Sequence, residues 1–591
     1  MNKPGVAFGD YITRGDYKKR NWDYEGDSHS SRNYFLPIIC FIVFAILFGR
    51  LFFLQVIQGY YYRYLSNSNR TKTITIHAPR GIIFDRNGVP LVFNTPGIRE
   101  NINGKVVLLT QDEALKAIAD GKKNLEVDSM RTYPYKDATA HVLGYIGQIS
   151  KEELADPMYS GYLASDLIGK SGIEQQYEQL LKGTDGKQLF EVDAAGNLVR
   201  ILGQDDPIAG RNVTLTLDQR LQQAAFTAMQ DVKKGAVVIS TPKGEILSLV
   251  SKPSFDPNLF TMRQDYKISS SSAYLTLSDV LSDSENQPLL NRAIAGVYPP
   301  GSTFKLIVAS SGLENKVIDE NWQITDTGIL TVGSFSFSNW YYTGYGGTDG
   351  DVNVVKGIKR SNDIFFYKLA EKVGVDKIST TAKEFGLGEP LGIDLLGEAS
   401  GTVPTQNWKL KNIGEPWYLG DTYHYGIGQG YLLTTPLQVN SWTQAIANSG
   451  TLYKPHLLKD QVSEIIRNDL LDSHSSDLIK EGMMEACSPG GVAWPLFNYT
   501  IKNAKLPIDG KNILGVDPSS GSADMRHVVV ACKTGTAEAG GAGAEPHAWI
   551  TLFAPAYNPQ IVVTVLSENS GEGSNVAGPI AKKILDNWFG R

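Results

Sequence analysis

The chain has 591 residues, 42% hydrophobic and 20% charged, so it can bury a large core, and length alone suggests roughly four domains. A net charge of −6 without a strongly basic block argues against nucleic acid as the main partner. Three cysteines (Cys40, Cys487 and Cys532), none in C-x-x-C spacing, exclude a disulfide framework and argue against a cysteine-based metal site.

From Tyr34 to Ile57 the sequence is YFLPIICFIVFAILFGRLFFLQVI, apolar apart from Arg50 and Gln55 and long enough for a bilayer-crossing helix. Arg50 can snorkel, and Tyr60, Tyr61 and Tyr62 stand where an interfacial aromatic belt would be. No small-residue cleavage site follows, so a transmembrane helix fits better than a signal peptide. Lys18, Lys19, Arg20 and Arg32 precede the span, but Arg63, Arg70 and Lys72 follow it, so the positive-inside bias is weak. A cytoplasmic tail and an extracytoplasmic body are expected because everything after the span reads as globular.

Beyond the span, APRGIIFDRNGVPLV predicts two strands around an Asn87-Gly88 turn. GKSGIEQQYEQLLKG predicts one amphipathic helix closed by Gly183. NVTLTLDQRLQQAAFTAMQ predicts a strand turning into a helix capped by Asp218. Strands GAVVIS and EILSLVS follow, joined by the turn TPKG. Residues 266–286 are serine-rich and suggest a surface insertion or loop, and a mostly helical block runs from Ser302 to Ile446. Three strands (HVVVACKTG, HAWITLFAP, QIVVTVLSE) and a helix (PIAKKILDNWF) close the chain. Strands on both sides of a helical block predict one sheet built from both ends of a domain.

Within YPPGSTFK (298–305), Ser302 fits a helix N-cap, but Lys305 is the wrong charge for the first turn. Residues three apart share a helix face, and both burial and the helix dipole favour a neutral Lys305, so Ser302 and Lys305 also fit a nucleophile beside a base. Taken alone, the tetrapeptide leaves both readings open; STPK at Ser240–Lys243 has the same spacing across a proline turn, with no helix to align it. Downstream, KRSNDIFFYKLA places Ser361 and Asp363 ahead of an apolar helix, and VVVACKTGTAE places Lys533, Thr534 and Gly535 at the end of a strand. The KSG at Lys170–Gly172 precedes Ser302 and opens a helix, failing both tests of order and context.

S-x-x-K, S-x-D and K-T-G in this order resemble the signature set of penicillin-binding proteins and serine β-lactamases. With APRGIIFDRNG (78–88), RTYPYKDATAHVLGYIG (131–147), GKSGIEQQYEQLLKGTDG (169–186), GVYPPGSTFKL (296–306), GIGQGYLLTTPLQ (426–438) and KTGTAE (533–538), the chain resembles the class B, monofunctional penicillin-binding proteins from the span to the C-terminus. The first three stretches resemble that family's non-catalytic pedestal, which β-lactamases lack. GQGYLLTTPLQ most resembles the elongation-type, penicillin-binding protein 2 branch.

The resemblance implies a tail (1–33), a transmembrane helix (34–57), an elongated mixed α/β pedestal of the dimerisation type (58–215) and an α/β (α+β) transpeptidase domain (216–591). It implies peptidoglycan D,D-transpeptidation: Ser302 attacks a D-Ala-D-Ala stem peptide, Lys305 accepts the serine proton, and Ser361 relays a proton to the leaving amine. Lys533 and Thr534 meet the substrate carboxylate, Gly535 opens the strand edge, and the N–H groups of Ser302 and Thr536 form the oxyanion hole. Asp363, where the family often has Asn, can only accept hydrogen bonds when ionised, and fits a helix-start carboxylate equally well. No cofactor is implied. Some elongation-type relatives hold a structural zinc between the first two motifs; no His or Cys lies between Lys305 and Ser361, so no metal is expected. A glycosyltransferase in the same chain is not expected, and the partner implied is a SEDS-family membrane glycan polymerase in the inner membrane. The rivals are a D,D-carboxypeptidase or β-lactamase with the same site, and a non-catalytic β-lactam sensor or scaffold. His424 and His547 fit structural groups, Trp340 fits either the cleft or a surface loop, Thr435-Pro436 a helix start, and Cys532 packing.

Overall fold

The computed structural model describes residues 34–590 apart from 103–104, 110, 123–124, 194–197, 262–267, 269–271, 503–512, 517–524, 539 and 541–542. It divides into two compact units, Met1–Thr73 with Leu189–Gly203, and Ile74–Gln188 with Gln204–Arg591. In the first unit, helix α1 (Phe35–Phe52) continues through a π-helical turn, Phe53–Ile57. Among the described residues this is the one helix long and apolar enough to cross a membrane, and none of its residues is buried by protein.

The second unit begins with the predicted Asn87-Gly88 turn, between strands Ile83–Phe84 and Pro90–Ile102, with Gly88 at φ 83°. GKSGIEQQYEQLLKG is not one amphipathic helix. It forms two short helices, Gly172–Gln176 and Glu178–Leu181, broken at Tyr177. Both pieces are held by an ion network that the period-3.6 pattern cannot reveal. Glu174 and Glu178 are fully buried: Arg80 donates to Glu174 through Nε and to Glu178 through Nη2, both at 2.6 Å, and Arg131 Nε donates to Glu174 at 2.7 Å. Burial alone would push the Glu174 carboxyl up, but Arg131 and Arg80 more than reverse it. This network brings together the three sequence stretches 78–88, 131–147 and 169–186.

Asp218 caps α2 (Gln219–Ala228), accepting from the Leu221 N–H at 3.0 Å, as predicted. Strands β1 (Gly235–Ser240) and β2 (Ile246–Lys252) precede the helical block. That block contains α3 (Lys305–Glu314), α4 (Val354–Arg360), α5 (Asp363–Val373), α6 (Pro436–Ala447) and α7 (Ser473–Ala486). Strands β3 (Ala531–Ala537), β4 (His547–Ala554) and β5 (Ile561–Ser567) follow it, then α8 (Ala577–Phe589). The five strands form one antiparallel sheet in the order β2-β1-β5-β4-β3, built from both ends of the domain. Alternate residues take opposite faces. Val237, Cys532, Ile550 and Val563 pack with α2 and α8, whereas Ala531, Trp549 and Phe553 pack with α3, α5 and α6.

Three expectations change. HVVVACKTG is two strands: Met525–Val528 pairs with Thr500–Lys502 and Ile513–Val516 in a separate sheet. Val529 interrupts the run, its carbonyl accepting from the Ala556 N–H at 3.0 Å, so Lys533-Thr534-Gly535 lies inside β3 rather than at its end. Of the serine-rich stretch, residues 266–267 and 269–271 lie outside the described residues. Leu277–Ser282 is a helix with a Thr276/Asp279 capping box and a buried Val280. Cys532 is not simple packing; it forms a disulfide with Cys487, 45 residues away, a pairing that a search for short C-x-x-C spacings does not detect.

Candidate active site

The turn that presents Ser302 depends on glycines. Gly301 has φ 53°, and a Cβ on it would come within 2.7 Å of the Thr536 carbonyl. The Gly301 N–H donates to the Gly428 carbonyl at 3.0 Å, and a Cβ on Gly428 would lie 2.1 Å from the Gly301 oxygen. GIGQG therefore holds the turn from below. Ser302 is not the cap. Pro300 occupies that position, Gly301–Phe304 is a 3-10 turn, and neither it nor α3 has a side-chain cap bond at its start. Half-buried Ser302 thus sits one turn ahead of Lys305, which opens α3 fully buried.

Ser361 and Asp363 are placed by the junction between two helices. Ser361 ends α4 in the left-handed region (φ 53°), a conformation uncommon for a non-glycine residue and frequent at functional sites. Asn362 then caps α5, its Oδ1 accepting from the Phe365 N–H at 2.8 Å, and Asp363 is the first helical residue. Lys305 Nζ donates to Asp363 Oδ1 at 2.6 Å, to the Ser361 carbonyl at 2.8 Å and to Ser361 Oγ at 3.3 Å. Lys533, fully buried on β3, donates to Ser361 Oγ at 2.8 Å and to the Thr534 carbonyl at 3.0 Å.

The structure thus brings Lys305, Ser361, Asp363 and Lys533 into one buried cluster. Among the described residues, the three N–H bonds of Lys305 go to Ser361 and Asp363 rather than to Ser302. Burial pushes Lys305 down and the Asp363 carboxylate pushes it up, leaving it below an ordinary lysine. Burial and the charge of Lys305 hold Lys533 well below the ordinary value. Ser361 Oγ accepts from both lysines, which uses its two lone pairs and leaves its own proton free to donate elsewhere.

On β3, Thr534 is buried and Thr536 exposed. At Gly535 a Cβ would meet Thr303 Cγ2 at 3.0 Å and the Pro300 carbonyl at 3.1 Å. A side chain would push β3 away from the serine turn. Trp340, ambiguous from sequence, lies at the site; its backbone N–H donates to Asp363 Oδ2 at 2.9 Å, and its indole N–H to the Arg360 carbonyl at 3.0 Å. Asn339 and Asp326, which sequence reasoning missed, stand behind it. Their contacts span 24 and 13 residues, beyond any local spacing. His547 Nδ1 accepts from the Asn569 N–H at 3.0 Å, and burial lowers its pKa; His424 packs on Phe337. Ser240 of the second S-x-x-K bonds Asn440 at 2.7 Å, and Lys170 of the KSG pairs with Glu153.

Residues 235–586 match the family model of the penicillin-binding protein transpeptidase domain, and residues 123–215 that of the penicillin-binding protein dimerisation domain. The chain is 32% identical to the peptidoglycan D,D-transpeptidase MrdA of Haemophilus influenzae, over 95% of this chain and 93% of the relative. Penicillin-binding protein 2 of Helicobacter pylori, solved in complex with MreC, superposes with a TM-score of 0.70 at 29% identity, covering 88% of this chain and 98% of that one. A structure described as the coordination of polymerization and crosslinking by a peptidoglycan synthase complex gives a TM-score of 0.69 at 27% identity, covering 95% and 99%. The chain therefore belongs to the class B penicillin-binding proteins, as a peptidoglycan D,D-transpeptidase of the elongation-type MrdA branch.

Proposed function

We propose that Ser302 is the nucleophile of this D,D-transpeptidase, acting with Lys305, Ser361, Asp363 and Lys533. Ser302 Oγ attacks the carbonyl of the penultimate D-Ala and its proton passes to Lys305. Two buried lysines face one carboxylate, Asp363, so the cluster carries one positive charge in excess, and desolvation favours expelling one proton. One lysine amine is then free to act as base. The backbone N–H groups of Ser302 and Thr536 hold the developing oxyanion. As the C–N bond breaks, Ser361 donates its proton to the leaving D-Ala amine and the lysines resupply it. An amine from a second stem peptide then attacks the ester, forming the cross-link and returning the proton to Ser302. Lys533 and Thr534 meet the terminal carboxylate. The observation that carries this reading is the pair of lysines converging on Ser361 Oγ at 3.3 and 2.8 Å.

The tail (1–33), span (34–57), pedestal (58–215) and transpeptidase domain (216–591) follow in that order in the inner membrane, with the catalytic domain outside the cytoplasm. The Cys487–Cys532 disulfide supports this sidedness, because disulfides persist in oxidising compartments. A SEDS-family polymerase is the proposed membrane partner, supported by the resemblance to a complex that couples polymerization to crosslinking. The test is product analysis with a D-Ala-D-Ala stem peptide and an acceptor amine, using the detergent-solubilised chain. Cross-linked product together with released D-Ala is expected. Release of D-Ala with hydrolysed peptide alone would instead make the protein a carboxypeptidase.

A further inference from the structure

Asp363 is gripped from two sides by hydrogen-bond donors. Oδ1 accepts from Lys305 Nζ at 2.6 Å, and Oδ2 accepts from the Trp340 backbone N–H at 2.9 Å. Its own N–H donates to Asn339 Oδ1 at 3.2 Å. Asn339 is fully buried, and its Nδ2 donates to Asp326 Oδ2 at 2.8 Å. That oxygen also accepts from Asn362 Nδ2 at 2.8 Å and the Asp349 N–H at 3.0 Å, while Asp326 Oδ1 accepts from the Gly328 N–H at 2.7 Å. The strand pair Gln323–Asp326 with Gly350–Asn353 and the hairpin Ile329–Val332 with Phe335–Ser338, which ends next to Asn339, are thereby tied to Asn362 and Asp363 themselves.

We infer that Asn339 and Trp340 are positioning residues that hold Asp363 as an acceptor on both carboxylate oxygens, so that this site requires aspartate rather than asparagine. An amide has one accepting and one donating end. Whichever way it turned, it would aim an N–H either at the Trp340 N–H or at Lys305 Nζ, where it would oppose the ammonium or occupy the lone pair that takes the Ser302 proton. The excursion over residues 323–353 thus decides which residue type can work at position 363. The inference rests on the proposed roles of Lys305 and Asp363.

A double-mutant cycle on the acylation rate by fluorescent penicillin, in the full-length solubilised chain, tests it. Trp340→Pro deletes the N–H. Trp340 is the first residue of helix Trp340–Tyr345, where proline is tolerated, and ψ 138° at Asn339 suits the residue before a proline. Trp340→Ala removes the ring but keeps the N–H. Trp340→Pro is expected to acylate about tenfold more slowly than Trp340→Ala, and Asp363→Asn at least about tenfold more slowly than wild type. In Trp340→Pro/Asp363→Asn the amide can turn its N–H toward the vacated side, so this double variant is expected to be no slower than Asp363→Asn alone. Trp340→Ala/Asp363→Asn keeps the conflict and is expected to show the product of its single effects. Equal rates for Trp340→Pro and Trp340→Ala, or a multiplicative loss in the proline double variant, would overturn the inference. If Trp340→Pro lacks a cooperative melting transition, Asn339→Ala replaces it in the cycle: sub-multiplicative loss supports the inference and multiplicative loss overturns it. Ser302→Ala separates the two levels. Labelling that survives it removes the underlying site reading, whereas Ser302-dependent labelling with a multiplicative cycle removes the positioning role alone.

Discussion

Lys305 shows how far one residue can be understood from its neighbours in sequence. Its spacing from Ser302 and its poor fit as a cap pointed to a buried lysine, and it is fully buried. The same spacing said nothing of Asp363, 58 residues on, whose carboxylate opposes the effect of burial on the ammonium. Asn339 and Trp340 were less legible still, because one acts through a backbone N–H and the other through a side chain 24 residues from its partner. His141 gives a prediction at this scale. Burial lowers it from 6.5 to about 4, with its Nε2 donating to the Pro288 carbonyl at 2.8 Å. Between those values the unfolded chain binds a proton that the folded one refuses, so the contribution is complete above about pH 6.5 and is lost as pH falls toward 4. The loss is at most about 3 kcal/mol. Denaturant unfolding at pH 7 and pH 4.5 is expected to show a smaller drop in His141→Gln than in wild type; equal drops would contradict it.

At the scale of elements, strand β3 is held from both faces. Lys533 points into the site, while Cys532 points away and bonds Cys487 at the end of α7. Helix α7 in turn packs closely on α4: a Cβ on Gly482 would lie 2.7 Å from Ile358 Cβ. Ser361 ends α4, so the disulfide joins the strand bearing Lys533 to the helix behind Ser361. Cys487→Ala and Cys532→Ala are each expected to cost about 2–4 kcal/mol in urea unfolding under oxidising conditions, with the double variant no worse than either. Additive losses would mean the two residues act as separate packing groups. The sheet was legible from sequence because β-branched runs alternate and turn residues bound them. The broken helix at Glu174 and Glu178 was not, because a buried carboxylate paired to arginine has the same spelling as an exposed one.

For the whole molecule, order along the chain carried most of the reading. One apolar helix, then a pedestal-like region, then strands on both sides of a helical block are all apparent in the sequence, as is the order of the three motifs. What linear order could not supply was convergence: Lys305 and Lys533, 228 residues apart, meet at Ser361 Oγ, with Lys533 on a sheet whose near and far strands are neighbours. We propose that Ser302, one turn ahead of Lys305 in this cluster, is the acylated residue of the D,D-transpeptidase. The direct measurement is peptide mass spectrometry of the full-length chain after reaction with penicillin. The adduct is predicted on the peptide containing Ser302 and is predicted to vanish in Ser302→Ala. An adduct on another residue, or one that persists in that variant, would contradict the assignment.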